Sequence, residues 1–513
     1  MSILDASGAT EGLNMLDGNR IAFDQQDPGG VNSAVQYSWL TPFDDDVQVT
    51  GSGITFAGGE PTGGTVTEMD IDLGDNNFSN PDVTITNIPN ADLVTMTTGS
   101  PFDLLNEVFS SNDSLTGSDF NDNLKGLGGN DTFIGSDGDD TLSGGGGNDT
   151  FRYIDGQGAD EGETINGDSG TDILQVQTSN NSDVFDFRGF DANSIEEIEF
   201  NADGANRDKT IQLGAGEFTS NTEFATDLVI DGNDNAGAVD LIEIYFNDPG
   251  DSSPISLDIS GWVFDDWGST ASTDAGQAET IRIVGDSDAE TVVGSSEIDV
   301  MRGRGGDDDL SGNGGKDDLR GGDGGDDIRG GDGGDTLRGD KGKDDLRGDQ
   351  GSDDLRGGDG GDTLRGGKGS DELRGNDGKD SLRGGDGDDT LNGGGEDDVV
   401  RGDAGKDILT GGNGSDTFDF NAPSDSGKGG SNADDITDFK KSEDDVIDLK
   451  GLVPGKITFR GDKNFKQGET NQLILVDTGD DVRVRIDFDG DQDSDFDIDV
   501  LDINNLREVD FLL

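Results

Sequence analysis

The feature that most constrains this chain is a nine-residue repeat, which runs thirteen times without a change of spacing from Gly303 to Asp419. Each unit has Gly at position 1, usually Gly at position 4, Asp at position 6 and a large apolar residue at position 8. A fixed short period is typical of repeat architectures, in which each unit packs mainly on its neighbours. The repeat therefore decides the fold of this region before any other property is considered.

Two positions of the repeat keep the same residue type from unit to unit. Position 6 is acidic and position 8 is apolar. In the long block position 6 is Asp308, Asp317, Asp326, Asp335, Asp344, Asp353, Asp362, Asp371, Asp380, Asp389, Asp398, Asp407 and Asp416. Position 8 is Leu310, Leu319, Ile328, Leu337, Leu346, Leu355, Leu364, Leu373, Leu382, Leu391, Val400, Leu409 and Phe418. A shorter block of four units, from Gly117 to Arg152, has Asp122, Asp131, Asp140 and Asp149 at position 6. Degenerate units flank both blocks, for example over 113–115 and 285–302.

The unit predicts a short strand followed by a tight turn. Positions 7 to 9 are long enough only for a small strand whose position-8 side chain points inward, and glycine allows positive φ in the turn. Two nine-residue units complete one coil, so alternate units stack with strands about 4.8 Å apart. Stacked columns of Asp would repel each other strongly. Because carboxylate and carbonyl oxygens suit Ca²⁺, we predict calcium between the stacked turns.

Composition supports a cation partner and excludes several function classes. The chain has 35 basic and 113 acidic residues, a net charge of −78, and only 29% of it is hydrophobic. Such a charge disfavours nucleic acid and anionic membranes as partners. The sequence has no Cys and no His, which excludes a disulfide framework, most zinc sites and the Ser-His-Asp triad. It also has no apolar run of about 20 residues, so we expect no membrane insertion.

The repeat resembles the GGxGxDxUx unit of the RTX (repeats-in-toxin, hemolysin-type calcium-binding) family. This resemblance implies a parallel β-roll that binds multiple Ca²⁺, with each position-6 Asp named above as a metal ligand beside backbone carbonyls. The stretches 434–439 and 445–449 resemble the cap that follows the roll in serralysin-type proteases. In that family the C-terminal region carries an uncleaved signal for type I secretion. We therefore expect an extracellular or cell-surface protein that is exported without a cleaved N-terminal signal.

We predict an all-β chain with five regions. These are an N-terminal β-rich module (1–107), a short RTX roll (108–153), an irregular β-solenoid or β-sandwich (154–284), a long RTX roll (285–420) and a C-terminal cap with the secretion signal (421–513). In the middle region Trp262 and Trp267 are interpreted as packing residues, with a carbohydrate-stacking surface as the alternative. The acidic run 489–495 is interpreted as a turn between strands rather than an EF-hand, because its spacing lacks the Gly and the final Glu of that loop.

Eight successive units of the long block end in Arg at position 9, from Arg320 to Arg383. One interpretation is a ladder of ion pairs with the acids at position 7. The alternative is a guanidinium ladder that binds an anionic polysaccharide or a neighbouring molecule.

Three classes of function remain open. The expected one is a structural protein of a bacterial surface layer, biofilm matrix or adhesin, which folds and assembles with extracellular calcium. The alternatives are a module that binds carbohydrate or another surface through 1–107 or 154–284, and a polysaccharide-active enzyme that uses carboxylates. Since 113 acids place some carboxylate pair at a suitable distance by chance, we name no catalytic residue and expect no enzyme. The expected partners are calcium, further copies of the chain and cell-surface polysaccharide.

Overall fold

The computed structural model describes residues 20–24, 35–40, 46–57, 60–72, 83–86, 112, 114–116, 123–134, 140–154, 163–177, 183–187, 191–200, 209–214, 224–231, 240–245, 256–265 and 280–513. The chain divides into two compact units, Met1–Tyr245 with Gly261–Glu279, and Phe246–Ser260 with Thr280–Leu513. Across the described ranges the regular structure is β-strand, apart from one short 3₁₀ turn at Glu508–Asp510. The chain is thus all-β, and none of the helical structure described in it is long and apolar enough to cross a membrane.

The strands of the first unit begin with an antiparallel group. These are β1 (Arg20–Asp24), β2 (Val35–Leu40), β3 (Asp46–Ala57), β4 (Glu60–Asp72) and β5 (Val83–Thr86). They pair in sequence order, and β5 pairs antiparallel with the next strand, β6 (Ser114–Thr116). From β6 onward the described pairings within this unit are parallel.

The parallel part of the first unit continues from the short block of repeats into the middle region. Its strands are β7 (Asn123–Lys125), β8 (Thr132–Ile134), β9 (Thr141–Gly146), β10 (Thr150–Ile154), β11 (Thr164–Ser169), β12 (Ile173–Gln177), β13 (Asp183–Phe187), β14 (Asp191–Asn193), β15 (Ile195–Phe200), β16 (Lys209–Gly214), β17 (Phe224–Asp231) and β18 (Asp240–Tyr245). After β19 (Ser256–Asp258), which belongs to the second unit, β20 (Val263–Asp265) pairs in parallel with β17. One stack runs β8, β10, β12, β15, β17, β20, a second runs β7, β9, β11, β14, and a third runs β13, β16, β18. Parallel stacking of this kind is a solenoid arrangement, whereas a β-sandwich is built from antiparallel sheets.

The second unit is dominated by a regular roll. Its strands are β21 (Thr280–Val284), β22 (Thr291–Val293), β23 (Asp299–Gly305), β24 (Asp309–Gly314), β25 (Asp318–Gly324), β26 (Asp327–Asp332), β27 (Thr336–Gly342), β28 (Asp345–Gln350), β29 (Asp354–Gly360), β30 (Thr363–Lys368), β31 (Glu372–Asp377), β32 (Ser381–Asp386), β33 (Thr390–Gly395), β34 (Val399–Ala404), β35 (Ile408–Asn413) and β36 (Thr417–Asp419). Each strand pairs in parallel with the strand two places along, so that Leu310 lies beside Ile328 on one sheet and Leu319 beside Leu337 on the other. The predicted stacking of alternate units is therefore confirmed.

The core of the roll is a column of position-8 side chains. Every position-8 residue of the long block is at most 2% exposed, and so are Leu124, Phe133, Leu142 and Phe151 of the short block. The turn positions 2 and 4 adopt positive φ, as at Gly322 (128°) and Gly324 (159°), which explains the glycine there. In Gly393–Arg401 the usual position-4 glycine is replaced by Glu396, which also takes positive φ (74°).

The C-terminal strands close both sheets of the roll. They are β37 (Asp434–Ile436), β38 (Val446–Asp448), β39 (Thr458–Gly461), β40 (Gln472–Asp477), β41 (Val482–Asp487), β42 (Phe496–Val500) and β43 (Phe511–Leu512). β37 continues the stack of β35, and β38 continues the stack of β36. Phe418 and Phe420 are buried there, in contact with Phe439 and Phe496 respectively. Aromatic side chains thus fill the end of the roll.

Candidate metal sites

The position-6 aspartates of the long block form two ladders, one beside each sheet. The backbone N–H of Asp308 donates a hydrogen bond of 2.9 Å to Oδ1 of Asp326, eighteen residues further on. The same bond recurs at the same spacing along both ladders, for example from Asp317 to Asp335 and from Asp335 to Asp353. All thirteen of these aspartates are at most 3% exposed. The ladder therefore fixes one oxygen of each carboxylate and holds the side chain inside the roll.

The second oxygen, Oδ2, of each of these carboxylates is buried and receives no hydrogen bond from the protein. This holds for Asp308, Asp317, Asp326, Asp335, Asp344, Asp353, Asp362, Asp371, Asp380, Asp389, Asp398, Asp407 and Asp416, and for Asp149 of the short block. Leaving one buried polar group unsatisfied costs about 1–3 kcal/mol, and more for a charged one. The two ladders together hold thirteen such atoms, which are oxygens that a cation could bind.

The glycine at position 1 packs closely against this second oxygen. A Cβ placed on Gly312 would lie closer than 3.0 Å to both Asp317 Oδ2 and the carbonyl oxygen of Gly330. The same two kinds of oxygen surround the corresponding point at Gly348 and at Gly375. Carboxylate and carbonyl oxygens are the donors that Ca²⁺ prefers, so the residues present fit a calcium ion in each turn. Position 1 is thus glycine because a Cβ there would collide with these two oxygens.

Electrostatics in the ladders also favour a cation. Burial raises the pKa of Asp317 and of Asp398 to about 8, and the neighbouring acids of the ladder add to the effect. Burial likewise raises the pKa of Asp344 and of Asp353 to about 7. A carboxylate in this position must take up a proton or bind a positive ion. At neutral pH a bound Ca²⁺ can stabilise the charged form.

The predicted residues of the short block lie in the same arrangement. Asp131, Asp140 and Asp149 are each at most 1% exposed, and Asp131 N–H donates to Asp149 Oδ1 at 2.8 Å. Asp122 lies outside the described residues.

The ladders also extend past the regular units, which the sequence analysis did not assign as metal sites. At the start of the long roll Glu290 and Asp299 occupy the position-6 place, and their N–H groups donate to Asp308 and Asp317. Burial and the Asp308 charge raise the pKa of Glu290 to about 9. The two acids lie in successive degenerate units within 285–302, so their place in the period was the available signal.

At the C-terminal end the ladders continue in spite of longer turns. Asp407 N–H donates to Asp434 Oδ1 at 3.1 Å, and Asp416 N–H donates to Asp445 Oδ1 at 3.0 Å. The last carboxylates of the two ladders differ in their second oxygen. Asp445 Oδ2 accepts the N–H of Lys440 at 2.7 Å, whereas Asp434 Oδ2 receives no protein hydrogen bond. The break in the nine-residue period hides both residues from a search for repeats.

A separate acidic cluster lies in the turn between β41 and β42. The carboxylates of Asp487, Asp489 and Asp491 have oxygens within 4.8 Å of one another. Asp487 is buried, and its oxygens accept the N–H groups of Gly490 (2.6 Å) and Gln492 (3.1 Å). The acidic run 489–495 therefore forms a turn between antiparallel strands, as predicted.

The arginines at position 9 stack as two ladders, and most of them pair with acids. Arg356 pairs with Asp354 of its own unit at 2.7 Å, which is the predicted position-7 partner. Arg320 instead pairs with Asp340, at position 2 three units further on. Both arginines thus form ion pairs as predicted, although the acids that pair with position 9 are not limited to position 7.

In the middle region Trp262 is buried at 6% exposure, and Trp267 lies outside the described residues.

A comparison with protein families gives one match. The model of the RTX calcium-binding nonapeptide repeat, which spans four copies, matches residues 112–151, 284–319, 320–355, 356–391 and 383–418. The matched residues include the position-6 aspartates of both blocks of repeats. No curated protein matches the chain.

Proposed function

We propose that this chain, in which RTX calcium-binding nonapeptide repeats build the two regular stretches, is a secreted structural protein of the bacterial cell surface or matrix that folds and assembles on binding extracellular calcium. The observation that carries the proposal is the continuous column of buried carboxylates, each with one oxygen that has no protein donor. We assign as calcium ligands the position-6 aspartates, together with the turn carbonyl oxygens that lie beside their second carboxylate oxygen.

The charge of the chain supports folding that depends on calcium. A net charge of −78 opposes a compact state, and the ladders place many of these charges on stacked neighbouring turns. About a dozen Ca²⁺ would offset roughly a third of this charge if each stacked pair of turns held one ion. A ligand that binds only the folded state shifts the equilibrium toward that state. The chain is therefore expected to stay unfolded where calcium is scarce and to fold where it is abundant.

Export and location follow from the same property. RTX repeats are typical of secreted proteins, and calcium sites of extracellular modules have dissociation constants of about 10⁻⁴–10⁻³ M. An unfolded chain in the cytosol suits passage through a type I secretion channel, and millimolar calcium outside would then fold it.

A scaffold role is favoured over a binding module or an enzyme by the faces of the roll. These faces repeat the same strand and turn, and the arginines that could have gripped an anionic polymer are largely paired with acids, as in Arg356–Asp354 and Arg374–Glu372. Repetition suits contacts between copies, because the same contact can be made at every turn. We expect these faces, rather than a cleft, to contact further copies of the chain or surface polysaccharide.

The test is a calcium titration of EGTA-treated full-length protein, followed by circular dichroism and light scattering, with magnesium as the control cation. We expect the β signal and the particle size to rise together with calcium and not with magnesium. A rise in β signal with a particle that stays monomeric would reject the assembly part of the proposal. Absence of any calcium response would reject the whole proposal.

A further inference from the structure

We propose that the C-terminal strands of the second unit carry a docking surface for a second copy of this chain, and that it binds an acidic face at the start of that copy's long roll. The basic docking surface is defined by Val509 and by the cations Lys450, Lys456, Arg460, Lys463 and Lys466. The acidic face is defined by Asp307, Asp309 and Asp327. Such a contact rests on the assembly proposed above and names the two surfaces that would meet.

The segment 450–468 differs in charge from the rest of the chain. It holds five basic residues and one acid, whereas the whole chain has 35 basic and 113 acidic residues. Its four lysines are exposed, and Lys450, Lys456 and Lys463 form no ion pair with any described residue. The other two cations of the surface are paired with Glu469. Exposed cations on a chain of this net charge attract an acidic partner.

The cations lie at one end of the second unit because the last strands pack on β43. The ring centroid of Phe459, in β39, lies 5.9 Å from that of Phe511 in β43. Leu449, which precedes Lys450, donates its N–H to the Leu512 carbonyl oxygen of β43 at 2.9 Å. β43 thus contacts both of the stretches that carry the cations.

An apolar side chain is exposed at the same end. Val509 lies in the 3₁₀ turn just before β43 and is 71% exposed, more than any other large apolar side chain in the described part of the chain. Its neighbour Asp510 pairs with Lys441 at 3.7 Å and with Arg507 at 3.5 Å. An apolar centre with a charged rim is typical of a protein interface. A protein partner therefore fits this surface better than a polysaccharide does.

The acidic face lies where no arginine balances the acids of the long roll. Asp307, Asp309 and Asp327 are exposed, and Asp309 lies beside Asp327 on one sheet. Position 9 of the first unit is Ser311 instead of Arg, and within the described residues Asp307 and Asp309 form no ion pair. Asp327 has only a distant cation, Arg347 at 3.9 Å. These carboxylates are available to the cations of another copy.

The two surfaces lie toward opposite ends of one sheet. Its strand order runs from β19 and β22 through β24 and β26, which carry the acidic face, to β38 and β43 at the other end. A contact between different surfaces of two copies is head-to-tail, so it can add copy after copy. Because both surfaces are built on the folded roll and its last strands, this contact would form only after calcium has folded the chain.

The test compares two triple variants of the full chain by sedimentation velocity in calcium. The docking variant combines Lys450→Glu, Lys456→Glu and Lys463→Glu. The control variant, with the same net charge, changes three exposed lysines of the long roll that form no ion pair with described residues, Lys316→Glu, Lys343→Glu and Lys368→Glu. We expect the docking variant to need at least about tenfold more protein to assemble, because like charges would then meet. The control variant should assemble at least as readily as the unchanged protein, and circular dichroism should show equal folding of all three.

Carbodiimide cross-linking of mixed chains with light and heavy nitrogen identifies the partner. We expect cross-links from the lysines of the basic docking surface in one isotopic form to Asp307, Asp309 or Asp327 in the other. Adding Asp309→Lys and Asp327→Lys to the docking variant should restore assembly, since the charges are then exchanged between the two surfaces.

Failure of this contact can be told from failure of the proposed function. If the docking variant folds and assembles like the unchanged protein, or if both triple variants are weakened equally, the docking surface is wrong while assembly with calcium stands. If the unchanged protein stays monomeric in calcium, the assembly part of the proposed function fails and this contact fails with it. Dextran sulfate is the probe for the other occupant. A docking variant that assembles normally but no longer binds dextran sulfate would assign the surface to an anionic polysaccharide and overturn the proposal.

Discussion

Arg320 and Asp340 form an ion pair between stacked turns of the long roll, and Asp340 is at the same time the acid of the triplet Arg338-Gly339-Asp340. The Arg320 guanidinium also donates from its second nitrogen to Asp340 Oδ1 at 3.1 Å. Asp340 takes a φ of 76° at turn position 2, where many other units have glycine. The triplet is therefore a product of the repeat, and its carboxylate is already engaged within the roll.

The Arg320–Asp340 pair should contribute little to stability. Its side chains are 49% and 28% exposed, and exposed ion pairs contribute about 0.2–1 kcal/mol. A double-mutant cycle with Arg320→Ala and Asp340→Ala in saturating calcium should give a coupling free energy in that range. Thermal unfolding followed by circular dichroism is the measurement, and a coupling of several kcal/mol would contradict our description of the ladder as a solvated ion-pair array.

Asp353→Asn should weaken calcium binding at one turn. The amide oxygen can still accept the Asp335 N–H that Asp353 Oδ1 accepts at 2.8 Å, but the variant lacks the charge of the buried oxygen. We expect one calcium fewer per chain and a higher calcium midpoint for folding. At pH 8 without calcium the same variant should be folded to a greater extent, because it removes a buried charge whose pKa burial has raised to about 7.

The matched control is Asp354→Asn, one residue further along. Asp354 pairs with Arg356 on the outside and is 30% exposed, so its loss changes the same net charge without touching the ladder. Calcium count and midpoint should stay as in the unchanged protein. Equal effects of the two variants would mean that net charge, rather than the ladder, controls folding.

Gly348→Ala should weaken calcium binding at one turn by displacing two of its oxygens. The new Cβ would lie closer than 3.0 Å to Asp353 Oδ2 and to the Gly366 carbonyl oxygen. At Gly314 the nearest atoms to such a Cβ are 3.8 Å away, so Gly314→Ala should change stability by no more than about 0.5 kcal/mol. Calcium counting and circular dichroism distinguish the two, and a Gly348→Ala protein that bound the full number of ions would argue against our placement of the ion.

Low pH should partly substitute for calcium in stabilising the folded chain. The pKa values of Asp416, Asp344 and Asp398 are raised by burial to about 6, 7 and 8, above the usual value near 3.9. A raised pKa stabilises the folded, calcium-free chain below the unfolded value, and this stability is lost as the pH rises through about 6 to 8. In EGTA the β signal should therefore increase as the pH falls from 8 to 4.

The raised pKa values of these carboxylates should also weaken calcium binding as the pH falls. Protons compete with Ca²⁺ for the carboxylates, so the calcium concentration at the folding midpoint should rise as the pH falls from 8 to 5. Titrations at three pH values in buffers of equal ionic strength measure this. A midpoint that did not depend on pH would contradict the assignment of buried carboxylates as ligands.

Much of the roll was predictable because its period is short and unbroken. The inward direction of Leu355 and its neighbours at position 8 and the stacking of alternate units both follow from the nine-residue spacing, and both are confirmed. The reason for glycine at position 1 was not predictable in detail. The sequence predicts a turn there, but only the structure shows that a Cβ at Gly348 would collide with Asp353 Oδ2.

The ends of the ladders were less accessible to sequence reasoning. Asp434 stands 27 residues after Asp407, because a longer turn replaces the regular one. A fixed period cannot identify a residue whose place is restored only by strand pairing in three dimensions. The assignment of the position-6 aspartates as calcium ligands and the boundaries of the five regions stay predictions, as does a role at the cell surface.

The alternation of the two sheets has a consequence for how such a gene can change in length. Strands two units apart share a sheet, as β25 and β27 do, while neighbouring units belong to opposite sheets. Deletion of a single unit by unequal recombination would transfer every downstream strand to the other sheet and turn the C-terminal strands by half a coil. Deletion or duplication of two adjacent units would leave each downstream strand on its own sheet. Inherited variation in the length of this region is therefore expected to occur in pairs of units.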